Sequence, residues 1–158
     1  MKREIDHFTM ELQEASLYVD EITRRYNHNQ IDTEHILLAL VEKSQETISQ
    51  LLKTLNADTQ SLVNQLTDVL SKSPRASAIK DTRIYITPRT KRIFLLVNEI
   101  VINLNDKNIS SEHFLLAILT ERNTPATRIL ASVGLTYDRV YSAIIELRKN
   151  QSSSIENQ

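Results

Sequence analysis

The chain has 158 residues with a formal net charge of −1, no cysteine, one glycine and three prolines. The absence of cysteine excludes a disulfide framework and thiolate metal sites, and the near-neutral charge disfavours a general nucleic-acid binder. Because β-sandwiches and phosphate-binding loops depend on glycine, and because the sequence shows neither a signal peptide nor a membrane-spanning apolar run, we expect an all-α, soluble, cytoplasmic protein.

The first predicted helix begins near residue 8. Its apolar residues recur at alternating steps of four and three, which places them along one face of a helix. They are Phe8, Leu12, Ala15, Val19, Ile22 and Tyr26. The pattern predicts an amphipathic helix that packs through this stripe.

The second predicted helix is the segment DTEHILLALVEK, residues 32–43. Thr33 suits the N-cap position, and Glu34 falls in the first turn, where a carboxylate meets unpaired backbone N–H groups. The residues that follow are apolar on nearly all sides, so we expect this helix to be the most buried.

Two shorter apolar patterns complete the first half of the chain. They predict a third helix through Ile48, Leu51, Leu52 and Leu55, and a fourth through Leu62, Leu66 and Val69. Residues 71–85 are polar and basic and predict a loop. Residues 150–158 have the polar composition of a linker or tail.

The second half of the chain repeats the first. The segment SSEHFLLAILTE at 110–121 matches the second predicted helix, and His113 lies 113 − 35 = 78 residues after His35. The register holds without a gap from residue 9 to residue 69 of the first copy. In the second copy Pro125 suits a first helical turn and Gly134 a C′ position.

This repetition predicts two pseudo-symmetric four-helix repeats, eight helices in all. We place repeat one at about residues 5–71, a linker at about 72–85 and repeat two at about 86–149. Together they form one domain over residues 1–149.

Each copy carries a Glu-His pair at the start of its second helix. Adjacent helical residues point about 100° apart and no H-E-x-x-H motif is present, so the pattern disfavours a metal site. No Gly-x-Ser-x-Gly and no third orienting group accompanies the pairs, which disfavours catalysis. We expect His35 and His113 each to pack at a helix start and to hydrogen-bond a neighbouring loop.

The two glutamates have two interpretations. Glu34 and Glu112 stabilise a helix N-terminus wherever they lie in the first turn. Equivalent carboxylates in a duplicated domain also suit twin sites for a cationic group such as a guanidinium, which a carboxylate grips bidentately. Both interpretations stay open at the level of sequence.

Several segments together resemble the N-terminal double repeat of the Clp unfoldases, ATP-driven ring proteins of the ClpA, ClpB and ClpC type. They are IDTEHILLALVE at 31–42, LLKTLNAD at 51–58, YITPRTKRIF at 85–94, ISSEHFLLAIL at 109–119 and ILASVGL at 129–135. The resemblance covers roughly residues 5–149.

The resemblance implies a non-catalytic domain that recognises substrate polypeptides and adaptor proteins for an AAA+ ATPase ring, in cis or in trans. The sequence contains no G-x-x-x-x-G-K-[ST] motif, which agrees with a domain that is not itself an ATPase. No cofactor or metal is implied, and no membrane partner.

The resemblance also implies a ligand. Some ClpC-type domains are similar at Thr9, Glu34, Thr87 and Glu112, and these positions bind phosphorylated arginine there. By this likeness we expect the hydroxyls to contact phosphate and the carboxylates to contact the guanidinium of phosphoarginine or arginine. Many ClpC-like members have glycine where this chain has asparagine or alanine, so the Clp subtype stays open.

Two alternative functions remain. One is a free-standing Clp-domain protein that modulates a Clp protease. The other is a helical nucleic-acid-binding module that uses Arg83, Arg89, Lys91 and Arg92, although a solvated charged face is the simpler interpretation of that run.

Overall fold

The structure is a computed structural model that describes residues 7–75 and 83–156, with side chains as far as residue 152. In this part of the chain it contains eight α-helices and two short strands. Their bounds are α1 Met10–Arg25, β1 Gln30–Ile31, α2 Thr33–Lys43, α3 Thr47–Thr54, α4 Thr59–Lys72, β2 Tyr85–Ile86, α5 Pro88–Asn103, α6 Ser111–Thr120, α7 Pro125–Ser132 and α8 Tyr137–Glu156. The all-α, eight-helix prediction is confirmed.

The two halves of the helical set follow one plan. Helices α1 to α4 begin at residues 10, 33, 47 and 59, and α5 to α8 begin at 88, 111, 125 and 137. Each helix of the second half therefore starts 78 residues after its counterpart. This is the offset at which the sequence aligns with itself, as expected of a duplicated unit.

Short extended segments of the two halves pair with each other. β1 and β2 pair in parallel, with Gln30 opposite Tyr85 and Ile31 opposite Ile86. The same offset relates this pairing to a second bridge, between Phe8 and Ile109. The segment before the first helix of each repeat thus pairs with the segment before the second helix of the other repeat. This exchange ties the two repeats together.

The exchange corrects one part of the sequence prediction. Phe8 was assigned to the apolar stripe of the first predicted helix, but it precedes α1 and lies in extended backbone, as its counterpart Ile86 does before α5. Thr9 and Thr87 follow them as N-caps, accepting hydrogen bonds from the backbone N–H of Leu12 and Thr90. A three-four pattern alone does not reveal where a cap residue ends the extended segment.

Helices α2 and α6 lie at the centre of the core. Every residue of α2 from Thr33 to Val41 is buried, and α6 is buried from His113 to Ile118. The two helices pack against each other and are covered by the remaining helices. The prediction that the second helix is the most buried is confirmed, because a helix that is apolar all round requires neighbours on every side.

The N-cap prediction for α2, Thr33, was wrong by one residue, and α6 begins in the same way as α2. Asp32 and Ser110 are the N-caps, and Thr33 and Ser111 are the first helical residues. Asp32 has extended backbone, and its carboxylate accepts the N–H of Thr33 at 2.8 Å. Aspartate is as good a cap as threonine, so the sequence did not distinguish the two.

Helix ends explain how the chain folds with a single glycine. Asn27, Asn56 and Asn105 adopt positive φ after α1, α3 and α5, and Gly134 does so after α7 at the predicted C′ position. Asparagine is the residue other than glycine that most readily adopts this left-handed conformation at a helix end.

The predicted domain boundaries fall near several of these elements. α4 ends at Lys72 and β2 begins at Tyr85, and residues 76–82 of the predicted linker lie outside the described part of the chain. α8 continues to Glu156, so helix extends past the boundary drawn at residue 149. Among the described helices, none combines the length and apolarity needed to cross a membrane.

Candidate functional site: two acidic pockets and an apolar groove

The first acidic pocket surrounds Glu34. It has a volume of about 230 Å³ and is bordered by Asp32, Arg89, His28 and Pro125. Arg89 approaches from α5 and donates through Nε and Nη2 to the two oxygens of Asp32, at 2.5 Å each. Its Nη2 lies 3.5 Å from Glu34 Oε1. Arg89 of repeat two therefore enters a pocket of repeat one. Its short contacts there are to Asp32, and its contact to Glu34 is longer.

The carboxyl groups of this pocket differ in their electrostatics. Burial and the neighbouring charge of Asp32 raise the pKa of Glu34, which is only 4% exposed. Burial alone would raise the pKa of Asp32 as well, but the hydrogen bonds from Arg89 and from the backbone of Thr33 hold it below its ordinary value. Arg89 thus neutralises Asp32 more fully than Glu34.

The second acidic pocket surrounds Glu112 and has a volume of about 270 Å³. Part of its lining corresponds to the first pocket at the 78-residue offset, for example Ser110 to Asp32 and Thr47 to Pro125. Arg148 of α8 lies across it and donates to Glu112 at 2.5 Å and to the two oxygens of Asp106 at 2.9 and 2.7 Å. The first-copy residue equivalent to Arg148 is Leu70, so the two pockets receive arginine from non-equivalent positions.

The two threonines associated with the glutamates lie across the repeats. Thr87 Oγ1 donates to Asp32 Oδ1 at 3.3 Å, which places Thr87 at the Glu34 pocket. Thr9 donates its backbone N–H to Ile109, one residue before the cap of the helix that carries Glu112. Thr87 of repeat two therefore lies near Glu34 of repeat one, and Thr9 of repeat one lies near the start of the helix that carries Glu112 of repeat two. The threonine and the glutamate of the same repeat are not the ones brought together.

The duplicated histidines complete capping boxes. His35 Nδ1 accepts the backbone N–H of Asp32 at 2.9 Å, and His113 Nδ1 accepts that of Ser110 at 2.8 Å. Glutamate or glutamine usually fills this position of a capping box. The expectation that each ring hydrogen-bonds at a helix start is confirmed.

The other ring nitrogen of each histidine has a different partner. His35 Nε2 lies 2.8 Å from His28 Nδ1, whereas His113 Nε2 lies 2.6 Å from Asp106 Oδ2. Because each Nδ1 accepts a backbone N–H, we assign the ring proton to Nε2, which donates. Burial and the neighbouring His28 lower the pKa of His35 to about 4.

Three ligand-type side chains, of which Glu112 lines the second pocket, lie close together. Asp106, Glu112 and His113 offer one ligand atom each within 4.8 Å of one another. However, His113 Nε2 is assigned a proton, and Arg148 is bonded to both carboxylates. The guanidinium already supplies the positive charge that a metal ion would bring, so this geometry is that of an ion-pair cluster.

Three arginines of the basic run contact different groups of the protein. Arg89 faces Asp32 and Glu34, while Arg92 pairs with Glu121 through a 2.9 Å contact. The Arg83 guanidinium lies over the Tyr85 ring. Residues that are close in sequence are thus divided among different partners, which weakens the interpretation as a nucleic-acid-binding patch.

An apolar groove lies between the repeats and was not predicted from the sequence. It has a volume of about 130 Å³, and its lining is apolar except for Ser16. The lining residues are Phe8, Leu12, Ala15, Ser16, Val19, Ile31, Ile36, Ala39, Leu40, Ile86, Phe94 and Phe114. The Phe114 ring is met edge-on by Phe8 at 5.9 Å and by Phe94 at 5.5 Å. The sequence feature that could have indicated the groove is the apolar residue directly before each cap threonine, Phe8 before Thr9 and Ile86 before Thr87.

The sequence comparisons identify relatives of the chain. Residues 7–133 match the family described as the Clp repeat (R) N-terminal domain. The chaperone protein ClpB of Porphyromonas gingivalis is 29% identical over 157 residues, which cover 98% of this chain and 18% of that protein. The chain therefore spans less than a fifth of the length of this relative.

Two solved structures share the fold. The Hsp104 N-terminal domain from Candida albicans gives a TM-score of 0.76 at 21% identity, covering 89% of this chain and 91% of that one. A complex of the ClpV N-domain with a VipB peptide gives a TM-score of 0.59 at 16% identity, covering 84% and 82%. These similarities establish the architecture, and because the family match extends over well more than half of the sequence, the chain belongs to the Clp repeat (R) N-terminal domain family.

Proposed function

We propose that this chain is a non-catalytic, cytoplasmic recognition module that docks substrate polypeptides and adaptor proteins for a Clp-type AAA+ unfoldase ring. The observation that carries the proposal is the apolar groove between the repeats. The ring lies either in the same polypeptide or in a separate one that this chain serves as an accessory protein.

The groove has the properties of a peptide-docking site. Its volume of about 130 Å³ suits one or two apolar side chains, and Ile86 at its rim is 37% exposed. Apolar pockets of this kind bind side chains by removing their surface from water. A VipB peptide is bound to a ClpV N-domain of the same fold, which supports peptide binding by this architecture.

A variant that fills the groove with a larger side chain tests whether polypeptides dock there. Phe94 occupies in repeat two the position that Ser16 occupies in repeat one, so a phenylalanine at residue 16 is compatible with the helix. We expect Ser16→Phe to abolish binding of a permanently unfolded probe, reduced and carboxymethylated lactalbumin carrying a fluorophore. Anisotropy reports the binding, and Ser16→Ala serves as the matched control.

Comparing the two variants shows whether the groove is the docking site. Loss of binding in Ser16→Phe with binding retained in Ser16→Ala supports the groove as the docking site. Equal binding by both variants, at unchanged helicity, contradicts it. The nucleic-acid alternative is tested on the same wild-type sample, where we expect no salt-dependent binding of duplex DNA.

A second candidate function is recognition of arginine or phosphoarginine side chains at Glu34 and Glu112, with Thr87 and Thr9 beside them. The observation in its favour is that each pocket already contacts a guanidinium of this chain. Calorimetry with a phosphoarginine peptide tests it. The double variant Glu34→Gln with Glu112→Gln is expected to lose binding while keeping its helical content, and unchanged binding would exclude this function.

A further inference from the structure

The two acidic pockets are equivalent in the fold but not in how their glutamates are occupied. In the second pocket, Arg148 Nη2 lies 2.5 Å from Glu112 and also donates to Asp106. In the first pocket, Arg89 directs its forked donors at Asp32 and stands 3.5 Å from Glu34. Glu112 thus has a short contact with its guanidinium, whereas the Arg89 guanidinium and the Thr33 hydroxyl stand 3.5 and 3.4 Å from Glu34.

Glu34 is under-compensated by a second measure. Its carboxylate is more deeply buried than that of Glu112, with side-chain exposures of 5% and 17%. Burial and the adjacent Asp32 raise the pKa of Glu34. A buried carboxylate in this state gains from any additional cation that reaches it, because burial penalises its uncompensated charge.

The first pocket also contains a buried ring nitrogen that forms no hydrogen bond with any residue the structure describes. His28 lines the same pocket as Glu34 and is 9% exposed. Among the described residues, no group completes a hydrogen bond with its Nε2; the backbone of Ser73 is close enough to favour the charged ring but lacks that geometry. His28 Nδ1 accepts the proton of His35 Nε2, so His28 Nε2 carries its own proton and completes no hydrogen bond with a described residue.

The second pocket lacks this feature. Asp106 takes the place of His28, and its oxygens are bonded to His113 and Arg148. Within the described part of the chain, this position therefore carries a donor that completes no hydrogen bond in repeat one and a carboxylate bonded through both oxygens in repeat two.

We propose that the two pockets have diverged, so that only the Glu34 pocket takes an arginine side chain from a partner polypeptide, while Arg148 occupies the Glu112 pocket as an internal ligand. In the first pocket Glu34 accepts the incoming guanidinium, and His28 Nε2 donates to a main-chain carbonyl of the same polypeptide. This inference rests on the second candidate function and assigns its stoichiometry as one external arginine per chain. Arg148 is the residue that determines it.

The experiment is a site-resolved titration. N-acetyl-arginine-amide is added to the full chain while backbone amide shifts are followed by NMR, with N-acetyl-citrulline-amide as the neutral, near-isosteric control. We expect saturable shifts around Glu34 and none around Glu112, and no saturation with citrulline. Glu34→Gln is expected to weaken binding about tenfold or more, because a charge-assisted hydrogen bond is lost.

Removing the internal ligand completes the test. Arg148→Met is expected to create a second saturable site around Glu112. If that variant does not fold, Arg148→Lys, which cannot form the forked contact, is expected to open the site partly. If the wild-type chain shows saturable shifts around Glu112, either alone or as large as those around Glu34, the proposed difference between the pockets is wrong. Arginine recognition itself would still stand. Absence of binding in the wild type and in both Arg148 variants overturns arginine recognition as well, and leaves the apolar groove untouched.

Discussion

His28 and Asp106 occupy equivalent positions in the two repeats and bond to equivalent histidines. His28 Nδ1 lies 2.8 Å from His35 Nε2, and Asp106 Oδ2 lies 2.6 Å from His113 Nε2. A neutral ring thus faces one duplicated histidine, and a carboxylate faces the other. The neutral His28 ring cannot compensate the charge of a protonated His35, so acid acts against the folded state at this pair.

We predict that stability falls as the pH falls from about 6.5 towards 4. The pKa of His35 is about 4 in the folded chain against 6.5 ordinarily, so the unfolded chain binds more protons in this window. The expected loss between pH 7 and pH 5 is about 2 kcal/mol. Urea denaturation at the two pH values measures it.

The control for this prediction is His28→Asp, which copies the partner found in repeat two. Its carboxylate favours the His35 imidazolium, so we expect a smaller loss of stability between pH 7 and pH 5. The raised pKa of Glu34 acts in the opposite direction, and it is present in both proteins. An identical pH dependence in the two proteins would show that the His28–His35 pair is not responsible.

Two buried hydroxyls join the repeats at the ends of their central helices. Ser44 follows α2, Ser111 begins α6, both are fully buried, and their Oγ atoms are 2.5 Å apart. Replacing either one with alanine leaves the other hydroxyl unpaired, which we expect to cost about 1–3 kcal/mol. Thermal and urea unfolding of Ser44→Ala, Ser111→Ala and the double variant measure the coupling. The double variant should lose less than the sum of the singles; strict additivity would argue against the pair.

Arg89 and Arg92 are a matched pair of cations on α5. Arg89 contacts the partly buried Asp32, and Arg92 forms a more exposed pair with Glu121. We expect Arg89→Met to destabilise the chain by about 2 kcal/mol, because two carboxylates lose their cation, and Arg92→Met by less than about 1 kcal/mol. Chemical denaturation at neutral pH compares them. Equal losses would mean that the pocket contact has no special energetic role.

The sequence predicted the helices and the duplication well, because both depend on local periodicity. The 78-residue offset seen between His35 and His113 recurs in the starts of all four helix pairs. The cap residues and the ends of helices were less predictable. Asp32 was overlooked in favour of Thr33, and the left-handed conformation of Asn27, Asn56 and Asn105 at helix ends was not predicted.

The candidate sites depended on contacts that a linear pattern does not contain. Nothing in the sequence indicated that Arg89 of repeat two reaches Glu34 of repeat one, or that Arg148 lies on Glu112. Both contacts join residues far apart along the chain. The exchange of extended segments, which brings Phe8 and Ile86 into one groove, was hidden for the same reason.

The proposal that the groove between the repeats binds unfolded polypeptide has a direct measurement. Methyl groups of Ile36, Ala39 and Leu40 line the groove and are resolvable by NMR in selectively labelled protein. On titration with carboxymethylated lactalbumin we predict that these methyls shift and saturate, while the methyls of Leu62 and Leu66 in α4 do not. Binding that leaves the three groove methyls unmoved would contradict the account.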